Sequence, residues 1–336
     1  MSTRPSRCGP GGPSASWNTG ARGTEMTTDV GSTTGRFRAF IELGKLRVVE
    51  MWLGAPLAWS LWDRDLALSG RGLALLVLSV LTAVGISAAA LALDDVTGTK
   101  DGLDDNNHGA GHRAAVRKPL LDGTISLRAA RVFAAGCAAV GLSALTTAIA
   151  IAPHRPWWMI AVTLGGVFLA LNYSYFLKLS YIGAGEVVTF VATALVMLFP
   201  YGLATGEITP VALVQALLIG VWELQTATYA NCLDMVGDAR FGRLTWPARL
   251  PWKGIARMHA SLYAVAGALL LLAVAGAERS WLLALLALPL LATQVQQVRK
   301  GMRERDFATA RALGFRVFRL GLAALAVSNL VAMAVG

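Results

Sequence analysis

The chain has 336 residues, of which 55% are hydrophobic and only 15% charged, with a mean hydropathy of +0.55. Length alone would accommodate two soluble domains, but this composition excludes them and describes an all-α, polytopic membrane protein. The net charge of +10 does not require nucleic acid as a partner, because in so apolar a chain cations orient the protein in the lipid bilayer. Cys8, Cys137 and Cys232 lie far apart and share no spacing that points to a disulfide framework or a zinc site.

Residues 1–35 are rich in Gly, Ser, Thr, Pro and Arg without apolar periodicity, and read as a disordered tail. No apolar run precedes a cleavage site, so no signal peptide is expected. Met26 offers an alternative start that would leave residues 1–25 untranslated. Residues 36–336 are expected to form a single transmembrane domain. Its apolar segments fall at 46–62, 72–93, 127–152, 156–173, 184–204, 209–232, 254–277, 280–297 and 312–335, each near the ~20 residues that cross a bilayer core. With a cytoplasmic amino terminus, every Lys and Arg except Arg64, Arg71, Arg155 and Arg279 falls on or beside the cytoplasmic face. That asymmetry supports nine spans and an outward carboxyl terminus.

The segment 72–93 runs straight into acid. Asp94, Asp95, Asp101, Asp104 and Asp105 crowd into twelve positions, and Arg113, Arg117 and Lys118 follow. Carboxylates gathered at a helix end repel one another unless a cation joins them, and Mg2+ bound through oxygen recruits phosphate oxygens to complete its octahedron. A solvated acidic loop is the alternative. A second acidic stretch lies four spans later on the same expected face. There Asn231, Asp234 and Asp238 share one side of a helix, with no basic partner before Arg240. Two such clusters on one side of a membrane protein favour a metal site. Between them, Lys178 is flanked by Tyr173, Tyr175 and Tyr181; this loop is either an interfacial anchor or a contact for phosphate. Glu223 lies about three turns before Asp234 and is expected to hold a polar substrate group or a neighbouring helix. Arg47 and Glu50 are three apart and positioned to pair, while His108 and His112 read as solvated.

These residues resemble the UbiA superfamily of intramembrane prenyltransferases, over about residues 40–335. The stretch DDVTGTKDGLD is similar to the family's first motif, NDxxDxxxD: Asp95 matches, Asp94 stands for Asn, Gly102 and Asp104 fit a naphthoate-type ending, and Gly98 replaces the middle aspartate. Arg117, Lys118, Pro119, Leu120 and Gly123 resemble the run that follows it. Asp234 and Asp238 fit DxxxD, continued by Gly242, Thr245 and Pro247. Tyr173, Lys178, Gly183, Gly185 and Glu186 resemble the family's YxxxK and GxGE segment, with the tyrosine one position early.

The resemblance implies nine transmembrane helices around a central cavity, two aspartate-rich cytoplasmic loops, and Mg2+-dependent transfer of a prenyl group from a prenyl diphosphate to a small aromatic or other lipophilic acceptor. In that scheme Asp94, Asp95, Asp101 and Asp104 hold one Mg2+, and Asp234 and Asp238 a second. Arg117, Lys118, Lys178 and Arg240 face the diphosphate, while Tyr173, Tyr175 and Tyr229 stabilise the allyl cation. Asn231, Glu223 and Arg47 complete the expected substrate contacts. The change at Gly98 leaves a terpene cyclase open as the alternative. A divalent-cation transporter or a non-catalytic assembly factor fits less well, since the acids sit at one face and Asp234, Asp238 and Lys178 are retained.

Overall fold

The computed structural model of the protein describes residues 33–46, 50–109 and 117–335. The expected tail, together with Arg47 and His112, lies outside the described residues apart from the tail's last few positions. Among the described residues the chain is helical, without a strand. A short α1 (Thr33–Leu43) leads to a 3-10 turn (Met51–Leu53), α2 (Gly54–Trp59) and α3 (Arg64–Leu68). The long α4 (Gly70–Asp101) is followed by α5 (Leu103–Gly109), α6 (Leu127–Ile151) and α7 (Trp157–Leu171). Then come α8 (Gly185–Thr205), α9 (Pro210–Arg240), α10 (Trp246–Arg249) and α11 (Trp252–Gly276). The chain closes with α12 (Ser280–Leu286), α13 (Leu288–Val298), a π-helical turn (Arg299–Arg303) and α14 (Phe307–Val335).

Local chemistry sets the helix starts. Ser69, Ser126 and Thr209 each accept a hydrogen bond from the backbone N–H three residues on, which satisfies an orphan donor of α4, α6 and α9. Pro210 adds a fixed φ at the first position of α9.

Six helices among the described residues are long and apolar enough to cross a membrane: α4, α6, α8, α9, α11 and α14. A seventh crossing results if the helices Ser280–Leu286 and Leu288–Arg303, bent by 42° at their junction, form one span. Helix α7, with 15 residues, is shorter, and segment 46–62 resolves into the 3-10 turn and the six-residue α2. All nine expected segments thus contain helix, while full-length crossings number six or seven.

The acidic clusters differ from expectation in their local structure. Helix α4 does not stop at Leu93 but runs to Asp101 and ends at Gly102, whose φ of +75° is the left-handed geometry a C-terminal glycine supplies. Asp94, Asp95 and Asp101 therefore ride on a helix rather than a loop, and Asp104 lies on α5. Asp234 and Asp238 occupy the last turns of α9.

Close packing depends on small residues. A Cβ on Gly85 of α4 would lie 2.8 Å from the Cys137 carbonyl of α6, and one on Gly321 of α14 would lie 2.2 Å from the Trp222 ring of α9. In the absence of a hydrophobic drive between helices in lipid, such close approach provides much of the attraction. Polar groups tie the same layer. Asn329 on α14 donates to Ser60 Oγ and to Gln215 Oε1, both at 3.0 Å, and accepts from Gln215 Nε2 at 3.0 Å. All three residues are buried. Substituting Asn329→Leu would leave the Gln215 amide without partners, so thermal unfolding in detergent should show a loss of about 1–3 kcal/mol. An unchanged midpoint would count against this network as a tie between α2, α9 and α14.

Candidate functional site

The ends of α4 and α9 meet at one end of a cavity of ≈ 310 Å³. Lys45, Asp94, Tyr173, Asn231, Asp234, Asp238 and Arg243 line that end, so residues from both acidic motifs and from the intervening loop converge on one space. Below it, side chains from α4, α7, α8, α9 and α14 continue the wall.

The carboxylates are matched by cations. Arg243 Nη2 lies 3.3 Å from Asp94 Oδ1, and Lys45 Nζ lies 3.1 Å from Asp95 and 3.9 Å from Asp94. Lys118 Nζ bridges Asp95 at 3.5 Å and Asp104 at 2.5 Å. Burial works against the Lys45 ammonium, yet Asp95, Asp94 and Asp104 together raise its pKa above the ordinary value. Burial likewise opposes the Arg243 guanidinium, which Asp94, ahead of Tyr173 and Asp238, holds still more firmly protonated. The Arg243 Nε is buried without a hydrogen-bond partner among the described residues. Its guanidinium lies 5.8 Å from the ring centroids of both Tyr173 and Tyr181.

A second layer fixes the loops. Glu186, almost fully buried at the start of α8, accepts from Asn231 Nδ2 at 2.9 Å and from the Trp246 backbone N–H at 2.8 Å. Thr245 donates to Asp238 at 3.1 Å, and the Leu244 N–H to the Tyr181 carbonyl at 3.1 Å. The loop around Lys178 is thereby bound to the loop after α9.

Gly98 has a steric reason. A Cβ at this position would lie 2.8 Å from Oδ2 and the carboxyl carbon of Asp104. The Asp104 carboxylate occupies the space beside Gly98, where burial raises its pKa above the usual range despite the neighbouring Lys118 ammonium. An acid from α5 has taken over room that a side chain at position 98 would need.

Not every expected contact reaches the cavity. Asp95 is buried between Lys45 and Lys118, and it is the neighbouring Asp94 that lines the cavity. Asp101 pairs with Lys178 at 2.6 Å, with Lys178 held at φ +50° above the Tyr181 ring. Arg117 turns to Asp122 and Thr124, both at 2.7 Å, and Arg240 reaches Asn106 at 3.4 Å; neither faces the cavity. Tyr175 is exposed on its loop. Tyr229 is fully buried elsewhere, stacked on His259 at 4.1 Å and hydrogen-bonded to Tyr263 at 3.0 Å, because its face of α9 packs on α11 and on Gly301. Glu223 does line the cavity. Glu50 pairs with Arg319 of α14. Lys45 and Arg243 were not singled out in the sequence; their only signal was position, one ahead of the first span and one five residues after Asp238.

The donor set suits a hard cation. No three Asp, Glu, His or Cys side chains among the described residues converge as a complete metal cage. Mg2+ does not need one, since it is commonly held by one or two carboxylates with waters and substrate phosphates supplying the remaining oxygens. Asp94, Asp234 and Asp238, facing one cavity beside cations, fit that mode.

The model of the UbiA prenyltransferase family matches residues 53–325. The chain belongs to the UbiA prenyltransferase family. Its apolar helices and this membership make it a multi-pass membrane protein. Among the solved structures that share the fold are three homologues. One is a UbiA homologue from Aeropyrum pernix K1, 18% identical at a TM-score of 0.61, covering 83% of this chain and 99% of its own. Another is a UbiA homologue from Archaeoglobus fulgidus bound to GPP and Mg2+, 14% identical at 0.58, covering 85% and 99%. The third, a digeranylgeranylglyceryl phosphate synthase, is 14% identical at 0.57, covering 88% and 99%. No curated protein matches the sequence.

The packing at Gly98 is testable in this UbiA member. Gly98→Asp should overpack the site and lower the thermal stability of the purified protein by about 1–3 kcal/mol. Adding Asp104→Gly should return most of the loss, because the two changes share one space. A Gly98→Asp protein as stable as the wild type would contradict the steric account.

Proposed function

We propose that the protein is a Mg2+-dependent intramembrane prenyltransferase that ionises an allylic prenyl diphosphate and transfers the prenyl group to an aromatic acceptor. The observation that carries this reading is the convergence of Asp94, Asp234 and Asp238 with Lys45 and Arg243 at the charged end of one cavity. The GPP and Mg2+ bound by the A. fulgidus homologue are consistent with the same substrate class here.

Asp94 on one side and Asp234 and Asp238 on the other would hold Mg2+, which when bound supplies Lewis-acid stabilisation to the leaving diphosphate, with Asp95 and Asp104 behind them engaging Lys45 and Lys118. The chain's own residues do the rest. Arg243 offers its unpartnered Nε to a diphosphate oxygen, and Lys45, which lines the same end of the cavity, adds its positive charge there, while Lys118 holds Asp95 and Asp104 beside it. Asn231 is oriented by Glu186 beside Asp234. The C1–O bond breaks with its electron pair leaving on the diphosphate, the acceptor's π electrons form the new bond to C1, and the acceptor releases a proton. Dry walls keep water from the allyl cation, and Tyr173 offers its ring face to the positive charge. Asp101 and Lys178 pair to tie the loop after α7 to the end of α4.

At Gly98 the Asp104 carboxylate fills the space a side chain would need, and since transfer and terpene cyclisation ionise the same diphosphate, cyclisation stays the alternative reading. Residues 36–336 act as one catalytic domain in this reading, with nine membrane segments, a cytoplasmic amino terminus and the aspartate-bearing helix ends on the cytoplasmic side, as the Lys and Arg distribution favours.

Replacing Asp234 and Asp238 together with Ala should abolish Mg2+-dependent release of diphosphate from geranyl, farnesyl and geranylgeranyl diphosphates, measured on purified protein. Full activity in that variant would remove the proposal. Arg243→Gln should raise the KM for the prenyl diphosphate roughly ten- to hundredfold, the worth of a hydrogen bond to a charged group; steady-state kinetics with each diphosphate checks this.

A further inference from the structure

The Arg243 backbone is fixed on both sides. After α9, Gly242 turns the chain at φ +73°, the Arg243 N–H donates to the Asp238 carbonyl at 2.8 Å, and the Leu244 N–H donates to the Tyr181 carbonyl at 3.1 Å. The side chain is another matter. A guanidinium at the end of a flexible stem keeps one pose only where other groups hold it against the entropy of its rotamers.

Three groups surround this guanidinium. Asp94 Oδ1 lies 3.3 Å from Nη2, and the rings of Tyr173 and Tyr181 have their centroids 5.8 Å away. Asp94 and Tyr173 line the cavity, where substrate would meet them; Tyr181 does not line it. A carboxylate also neutralises the cation it holds. A ring face attracts a guanidinium through its quadrupole and leaves the positive charge available to another anion. Of the three, Tyr181 alone can hold Arg243 without competing with substrate or cancelling the charge.

The Tyr181 ring is itself anchored. Lys178, paired with Asp101 at 2.6 Å, lies over the same ring at 4.8 Å. Two residues on, Gly183 adopts φ +84°, and a Cβ there would lie 3.0 Å from the Leu244 carbonyl, so the loop carrying Tyr181 approaches the turn after α9 more closely than a side chain would allow. The Trp246 indole N–H strengthens that contact by donating to the Gly183 carbonyl at 3.1 Å.

We infer that Tyr181 is a positioning residue whose ring, from outside the cavity, aims the Arg243 guanidinium at the diphosphate while leaving its charge free. This rests on the transferase reading and adds to it a side chain that acts through Arg243 and touches no substrate.

The test uses the purified full chain in lipid nanodiscs with Mg2+. It measures the KM and kcat for diphosphate release from geranyl diphosphate, and the Kd of geranyl S-thiolodiphosphate, an analogue that ionises poorly. Tyr181→Leu removes the ring and raises KM and Kd about three- to tenfold, the worth of one desolvated cation–π contact, with kcat little changed. Tyr181→Phe keeps the ring and restores both values. Tyr181→3,4,5-trifluorophenylalanine, introduced by nonsense suppression, keeps the ring's shape but withdraws electron density from its face, and it raises Kd relative to Tyr181→Phe even where Tyr181→Leu fails to fold. In the Arg243→Gln background each change at this position adds less than about twofold, because the ring acts through Arg243. A trifluoro variant that binds the analogue as Tyr181→Phe does, a loss in Tyr181→Phe as large as in Tyr181→Leu, or an undiminished further loss in the Arg243→Gln background each overturns the assignment. A wild type that neither binds the analogue nor releases diphosphate with Mg2+ is a different result, and it overturns the transferase reading together with this one.

Discussion

Two long helices end in acid, and the rest of the structure depends on neutralising that acid. Asp94, Asp95 and Asp101 lie at the C-terminus of α4, and Asp234 and Asp238 at the C-terminus of α9. Asp101 and Asp238, in the last turns, oppose the negative end of the helix dipole, and Asp95 and Asp238 are buried. The cations that make this tolerable come from elsewhere in the chain. Lys45 arrives from the segment after α1, Lys118 from the segment after α5, and Arg243 from the turn after α9. Arg243 matters most to the architecture, because its bond to Asp94 joins the two acidic helix ends across the cavity. Removing it would leave Asp94 with only Lys45, at 3.9 Å, as an ion-pair partner among the described residues and would untie the two helix ends.

The same charge pairing serves the proposed chemistry. A site for a diphosphate with Mg2+ must present both signs of charge, and in the free protein those signs are turned toward each other. In the proposed reaction, substrate entry would exchange partners instead of exposing bare charge. Glu186 has a supporting part: its two hydrogen bonds hold Asn231 and the Trp246 backbone in register, so the second motif and its following loop are placed by a residue that does not line the cavity. Farther down, Ser79, Thr82 and Thr189 return their hydrogen bonds to the backbone and Ser87 and Thr163 turn theirs to methionine sulfurs, so the cavity becomes a fit environment for a hydrocarbon tail.

Gly98 shows how a departure from the family pattern is absorbed. Read along the chain, it removes an acid from the first motif. In three dimensions its missing side chain is the room in which Asp104 sits against Lys118. The carboxylate has been supplied from the next helix. At 14% to 18% identity to the solved homologues the fold persists while details of this kind change, so the arrangement at Gly98 has to be read from this chain's own packing.

Composition and the Asp-rich stretches determined the membrane class, the helical nature of all nine apolar segments and the two acidic ends, because hydropathy and helix length are local properties of sequence. The face on which Asp234 and Asp238 sit together was legible for the same reason, since four-residue spacing on a helix is local geometry. Tertiary structure alone decided which members of each cluster look into the cavity. Asp94 rather than Asp95, and Arg243 rather than Arg240, face it because the rotation of α4 and the turn after α9 are set by packing against helices distant in sequence. Tyr229 was drawn away to His259 and Tyr263 by contacts between α9 and α11. Lys45 became part of the site because α1 and its following turn dock beside α4, a long-range event that no window of sequence records.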